Sequence, residues 1–298
     1  MPDVYKTIVL PTRPQPDTIV GIFLLRTFGK EKYPGIESAK VEILADLPQG
    51  KMETDFEKEG VLLIDIGKGK FDHHAQGGTV SQLIAQNLGI SDSPALAKLL
   101  AYAERDDKYG MGTVSQDALD KAFGLSGLTA ALNKSIPQSP NEVIDYIIPL
   151  LVAHYLEEKK RTEELPQEYK QKLADSRAEE MEVKHKGKKI KIAAIESNDP
   201  SMAGWLRSSH GAKADVVIQK MDSGCVNIMT KQMKKIDLRG VATLLRREEL
   251  VARNSNTVLT PHQLTQPGRI PQVPEWYYDR ATNSLLNGGL NPKGIEVT

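Results

Sequence analysis

The chain predicts an α/β protein in two domains, and three observations predict it. Strand, loop, helix and strand follow one another between Tyr5 and Ile66, the order that a parallel sheet requires. The run Val61 to Ile66 is apolar and β-branched, with the length of a strand buried on both faces. From Glu157 to Lys189 the composition turns abruptly charged, separating two stretches that are each long enough for a core. The expected boundaries are a first domain over 1–156, a charged helical linker over 157–189, and a smaller α/β domain with an extended tail over 190–298.

In order, Tyr5 to Pro11 (YKTIVLP) reads as the first strand and residues 12–18 as its polar loop. Ile19 to Phe28 is apolar nearly all round, as a helix packed on a sheet should be, with Asp17 or Thr18 as its N-cap. Val41 to Leu44 is the second strand and Val61 to Ile66 the third. Thr79 to Leu88 is an amphipathic helix closed by Gly89. The next opens at Ser91 or Ser93, buries Leu96, Leu99, Leu100 and Ala103, and runs into Glu104 to Gly110. Further helices are expected over Asp117 to Phe123, Gly127 to Asn133 and Asn141 to Leu156. The linker reads as a solvated helix interrupted near Pro166. Beyond it, Ile190 to Ile195, Ala214 to Lys220 and Cys225 to Thr230 read as strands. Ser201 to Ser209 and Leu238 to Val251 read as helices, the latter capped by Asp237. The tail holds a packing anchor, Trp276-Tyr277-Tyr278, and a turn at Asn287-Gly288-Gly289.

The chemistry concentrates between Gly60 and His74. The strand ends on Asp65, a Gly-Lys-Gly-Lys turn doubles the chain back, and Asp72-His73-His74 follows. Open α/β sheets hold ligands at the carboxyl ends of their strands. Two carboxylates and two imidazoles gathered there suit a divalent cation or a phosphate.

The whole chain narrows the function. Lys and Arg together number 39, as do Asp and Glu, so no global field draws the chain to nucleic acid or membrane. Aromatic residues are 5%, too few for a long base-stacking channel, which argues against a processive nuclease. The basic clusters Lys184 to Lys191 and Lys231 to Lys235 are the only places for such a surface, and read as solvated faces. The lone Cys225 forms no internal disulfide and fits a reducing compartment; with no signal-peptide pattern, the default is a cytoplasmic protein.

Asp72-His73-His74 behind a strand ending in Asp65 resembles the DHH phosphoesterases, a superfamily of RecJ-like exonucleases, oligoribonucleases and family II pyrophosphatases. The resemblance covers nearly the whole chain. It implies a Rossmann-like first domain, a helical linker and a smaller second domain, with the site in the cleft between domains. Of the family's first motif, His-x-x-x-Asp-x-Asp, Asp17 is kept, while Arg13 and Ile19 stand at the other two ligand positions. Asp65 matches the family's bridging aspartate. His73 matches a metal ligand, and His74 the imidazole that faces phosphate. Asp107 fits the fourth motif best, with Asp106 as the alternative. In the second domain Leu244 to Glu248 replaces the family's glycine-rich substrate turn, and Thr230-Lys231-Gln232 is all that matches its Ser-x-Arg-Ser segment.

The resemblance thus implies metal ligation by Asp17, Asp65, His73 and Asp107, enough for one Mn²⁺ or Mg²⁺ rather than two. His74 and Arg13 would carry the catalytic stabilisation, and Arg13, His74, Lys231 and Arg246 would bind substrate. Arg13 would replace a lost cation by pairing with Asp17 or with a phosphate. The activity expected is hydrolysis of small phosphodiesters: short oligonucleotides, or cyclic or linear dinucleotides. The alternative is a catalytically reduced module that binds a nucleotide or phosphate ligand without turnover. The partners expected are a small phosphate ligand or short oligonucleotide and no membrane, with a homodimer compatible with the sequence.

Overall fold

The computed structural model describes residues 2, 4–110, 112–185 and 187–287, and of 75, 76 and 185 only the backbone. The chain divides into two compact units, residues 1–160 and 161–298.

Unit 1 runs β1 (Thr7–Leu10), α1 (Pro16–Phe28), β2 (Lys40–Ile43), α2 (Glu53–Lys58), β3 (Val61–Leu63), α3 (His73–Gln76), α4 (Val80–Leu88), α5 (Ala97–Tyr109), α6 (Ala118–Phe123), α7 (Leu125–Ser135) and α8 (Pro140–Lys159). Its sheet has three parallel strands in the order β2-β1-β3. The third strand stops three residues short of its expected end. Asp65 takes a left-handed conformation (φ +61°), and its N–H donates to the Phe71 carbonyl at 3.0 Å instead of to a strand.

Helix α1 is buried from Asp17 to Leu25, as its all-round apolarity requires, and packs against α4, α5 and α8. It begins at Pro16 with Gln15 as N-cap, earlier than the Asp17 or Thr18 expected, because proline's fixed φ suits a first helical position. Gly21 lets α4 close on α1: a methyl there would lie 2.8 Å from Ile84 Cδ1. The outer edge of β2 is closed by the Asn141 side chain of α8. Its amide accepts from the Val41 N–H (2.7 Å) and donates to the Val41 carbonyl (2.8 Å), as a neighbouring strand would. Arg26 Nη2 occupies the Ala39 carbonyl on the same edge at 3.1 Å.

Unit 2 follows a π-helical turn, Lys160–Glu164. It comprises α9 (Leu165–Ala174), β4 (Ala178–His185), β5 (Lys188–Glu196), α10 (Met202–Arg207), β6 (Val216–Lys220), β7 (Val226–Thr230), α11 (Arg239–Ala252), α12 (Pro261–Leu264), β8 (Gly268–Ile270), β9 (Val273–Asp279) and β10 (Ser284–Asn287). One mixed sheet holds all seven strands in the order β4-β5-β6-β7-β10-β9-β8, with only β5 and β6 parallel.

The helical linker over 157–189 is corrected here. Its second half is the antiparallel hairpin β4-β5, whose charges pair across the strands: Lys191 with Glu180 at 2.7 Å and Lys189 with Glu182 at 3.0 Å. Its first half ends α8 and forms α9, which buries Leu165 and Tyr169 in the unit 2 core. Residues 268–287 add three strands, in which Trp276 and Tyr278 are buried as the anchor expected. Gly288 and Gly289, expected as part of a turn, lie outside the described residues. Among the described residues, no helix is long and apolar enough to cross a membrane.

Limited digestion with trypsin is expected to open the chain first around Lys159 to Arg161, giving two resistant fragments. The π-helical turn there buries no side chain, whereas α9 and β4 are tied into unit 2. First cuts at Lys170, Lys172 or Lys189 would contradict that division.

Candidate metal centre

The order β2-β1-β3 places a topological switch point at the carboxyl ends of β1 and β3, where such sheets receive ligands. Four of the expected residues come from elements that meet there. Asp17 lies in the first turn of α1, Asp65 just after β3, His73 at the start of α3, and Asp107 in the last turn of α5.

Asp65 and Lys68 both have positive φ (+61° and +55°), so the turn between β3 and α3 is tight. Asp72 holds its far side. One oxygen accepts from the Lys68 N–H at 2.7 Å; the other accepts from the His74 N–H at 3.1 Å, capping α3, and lies 3.1 Å from His74 Nδ1. Asp72 therefore shapes the loop and is not left over as a ligand. The His73 and His74 rings lie with centroids 4.5 Å apart.

Two groups of donors result, sharing His73. In one, Asp65 Oδ1 is 3.7 Å from His73 Nε2 and 3.3 Å from His74 Nδ1. In the other are Asp17, His73 and Asp107, with His73 Nδ1 4.0 Å from Asp17 Oδ2. Within each group the ligand atoms lie within 4.8 Å of one another. Asp65 Oδ1 and His73 Nδ1 are both buried, and neither has a hydrogen-bond partner. Orphaned buried acceptors are expensive, and a divalent cation in either group would satisfy the acceptor that faces it. Carboxylate and imidazole donors together suit Mn²⁺ or Mg²⁺. Each group offers donors of the kind a divalent cation takes, and neither group contains both Asp17 and Asp65.

Burial pushes the Asp17 carboxyl above its ordinary range and Asp107 adds to the rise, against bonds from Ser81 and Val80 that lower it. Burial likewise raises Asp65, opposed by His73 and His74 and reinforced by Asp72 and Asp17. For Asp72, desolvation is outweighed by the Lys68 and His74 amides and the His74 ring, and its carboxyl sits below the ordinary range. Asp17 has a second task. Its two oxygens accept the N–H groups of Val80 (2.8 Å) and Ser81 (3.1 Å), closing the start of α4.

The structure separates Asp106 from Asp107. Asp106 accepts from the Ser126 hydroxyl, on the α7 side of α5, while Asp107 joins Asp17 and His73. Arg13 does not pair with Asp17. It is exposed, and Nη1 donates to the Asn133 carbonyl in the last turn of α7 at 3.2 Å. Ile19 is fully buried in the unit 1 core. Arg246 requires a correction. It is wholly buried in unit 2, and its two Nη groups donate to the carbonyls of Leu264, Gln266, Gly268 and Trp276, leaving neither for a phosphate. Lys231 is half-exposed just after β7, its N–H bonded to the Asp215 carbonyl at 2.8 Å.

Sequence reading missed α2, whose Glu53 and Glu57 meet Lys70 in the turn after Asp65. The signal was present in Met52 to Lys58, where Asp55 three residues into the helix reaches back to the Met52 N–H. No family model matches the chain, and no curated protein matches it.

Proposed function

We propose that this chain is a divalent-metal-dependent phosphohydrolase of small phosphodiesters, namely short oligonucleotides or linear or cyclic dinucleotides. In this reading unit 1 is a Rossmann-like domain of DHH type and unit 2 its associated substrate domain. One observation carries it: Asp65 Oδ1 and His73 Nδ1, buried and unpartnered, face into clustered Asp and His donors at the switch point of a parallel sheet. Asp17, Asp65, His73 and Asp107 would hold one Mn²⁺ or Mg²⁺, which supplies Lewis-acid polarisation of a phosphoryl oxygen. His74, with its side chain 69% exposed and Nδ1 against Asp72, is oriented toward an incoming phosphate. The guanidinium of Arg13, spending one N–H on Asn133, keeps the rest for the same anion.

Unit 2 supports a phosphate-rich ligand. The two basic clusters expected as solvated faces converge there: Lys188 and Lys189 line one depression with Lys234 and Lys235. Lys235 also borders a second, of about 540 Å³, with Arg239 and Arg280. Asp237 is the sole acidic residue lining either. Lys189, Lys234 and Arg239 are paired with Glu182, Asp215 and Asp237, so the attraction for repeating phosphates rests on Lys188, Lys235 and Arg280.

A second reading is favoured by Ile19 and Arg13. With one in the core and the other bonded to a helix end, two positions that hold ligands in the DHH resemblance offer none. The module would then bind its nucleotide without turnover. Purification with Mn²⁺, metal analysis, and incubation with a linear dinucleotide, a cyclic dinucleotide and pyrophosphate decide between them. The expected result is about one ion per chain and dinucleotide cleavage stopped by a chelator. Binding of metal and dinucleotide without cleavage would establish the module instead, and absence of metal would sink the centre itself.

A further inference from the structure

Glu53 of α2 lies outside every motif discussed so far, yet its carboxylate fills the inside of the turn that joins Asp65 to His73. Both its oxygens are 3.2 Å from the Lys70 N. A methyl added at Gly69 would stand 2.5 and 2.7 Å from those same two oxygens, so the turn is closed onto the carboxylate with no space between. Around this contact Lys70 is fixed from every side. Its ammonium pairs with Glu57, one helical turn from Glu53, and lies 4.9 Å above the Tyr33 ring and 5.4 Å from that of Phe71. Helix α2 is itself anchored by Phe56, which packs with Val9, Leu63 and Ile66 beneath the strand ends.

The turn needs such a hold. It carries two non-glycine residues at positive φ, Asp65 and Lys68, a conformation that persists only where the surroundings impose it. Asp72 clamps the side nearest α3. On that side the Asp72 N–H also donates to the Gly69 carbonyl at 3.2 Å, and Glu53 accepts the Lys70 N–H from the other.

We propose that Glu53 is a positioning residue for the metal centre: by gripping the Gly69-Lys70 backbone it sets the separation of Asp65 from His73 and His74. This rests on the cation reading given above. Residues that orient ligands without touching the ion change metal affinity by roughly tenfold to a hundredfold. Glu53→Ala should therefore weaken Mn²⁺ binding by about tenfold, measured by calorimetry on folded protein. Glu53→Gln keeps an oxygen to accept the Lys70 N–H and should restore wild-type affinity. A merely structural role would lower the metal-free unfolding midpoint and leave the affinity of the folded protein unchanged.

Gly69 gives a sharper test, because the three atoms nearest to a methyl there all belong to the Glu53 carboxylate and its φ lies outside the left-handed region. Gly69→Ala drives the carboxylate out and should reproduce the affinity loss of Glu53→Ala. In the Glu53→Ala background the same methyl meets no carboxylate, so the double variant should bind Mn²⁺ as the single one does. Additive losses would overturn the inference. A readout without metal keeps it independent of the cation reading. The imidazole resonances of His73 and His74 in chelator-treated protein should move in Glu53→Ala and return in Glu53→Gln. Unmoved resonances would overturn the clamp, whereas shifted resonances with no Mn²⁺ binding in the wild type would uphold it and defeat the metal centre.

Discussion

Mn²⁺ at a hundredfold excess over its dissociation constant is expected to stabilise the folded chain by about 2.7 kcal/mol, and Asp65→Ala to abolish that gain. For a unit of this size the gain corresponds to a rise of roughly 5–10 °C in the unfolding midpoint. Asp65 is the decisive position because its buried Oδ1 makes no hydrogen bond and lies 3.3 and 3.7 Å from the His74 and His73 rings. Asp17→Ala would be a poorer test, since it also strips the amides of Val80 and Ser81. The effect has a defined pH sense. The pKa values of Asp17 and Asp65 are raised by burial, so in metal-free protein their contribution to stability is fully present below the ordinary carboxylate range. It is lost as pH rises through the raised values. The cation needs both groups ionised, so the Mn²⁺ shift should grow across that same window. Equal shifts in wild type and Asp65→Ala would remove Asp65 from the site.

Arg246→Leu is expected to lower the stability of unit 2 by about 4 kcal/mol. The guanidinium donates to four carbonyls at 2.6–3.1 Å, gathering α12, β8 and β9 around α11. Leucine matches its apolar stem and leaves those carbonyls buried without donors, each worth about 1–3 kcal/mol and not additive. The measurement is simple because both tryptophans, Trp205 and Trp276, belong to unit 2. Urea unfolding followed by their fluorescence reports that unit alone. A midpoint within experimental scatter of wild type would show that the carbonyls find other donors.

Much of unit 1 was legible because its signals are local. The all-apolar α1, the β-branched run before Asp65 and the Gly-Lys-Gly-Lys turn each dictate their own conformation, and together they place Asp65 beside His73 and His74. Asp17 was legible as a polar residue near a strand end, but not as the partner of the α4 amides, 63 and 64 residues away. Between Asp106 and Asp107 the sequence favours Asp107 only through the resemblance, since both are aspartates in one helical turn. Only the position of Ser126 across α5 separates them. The first strand of the hairpin, Ala178–His185, was hidden by its own charges, whereas its partner was legible from Ile190 to Ile195. Glutamates and lysines that read as a solvated helix instead pair strand to strand, and the apolar residues between them are too few to show a period of two. Arg246 was misread for a related reason: a cation near a substrate motif suggests an anion, whereas here it serves backbone oxygens of its own unit.

The Asn141 side chain on β2 has a consequence for how copies of this chain can meet. A parallel sheet of three strands has two exposed borders, and an uncovered border is a template on which a foreign strand can add. On the β2 side the Asn141 amide and the Arg26 guanidinium already occupy the outward-facing groups of Val41 and Ala39. A strand arriving there finds its hydrogen bonds taken by the molecule's own helices. Growth of this sheet into a shared, intermolecular one is hindered along that border, and strand addition is directed to the opposite one, at β3.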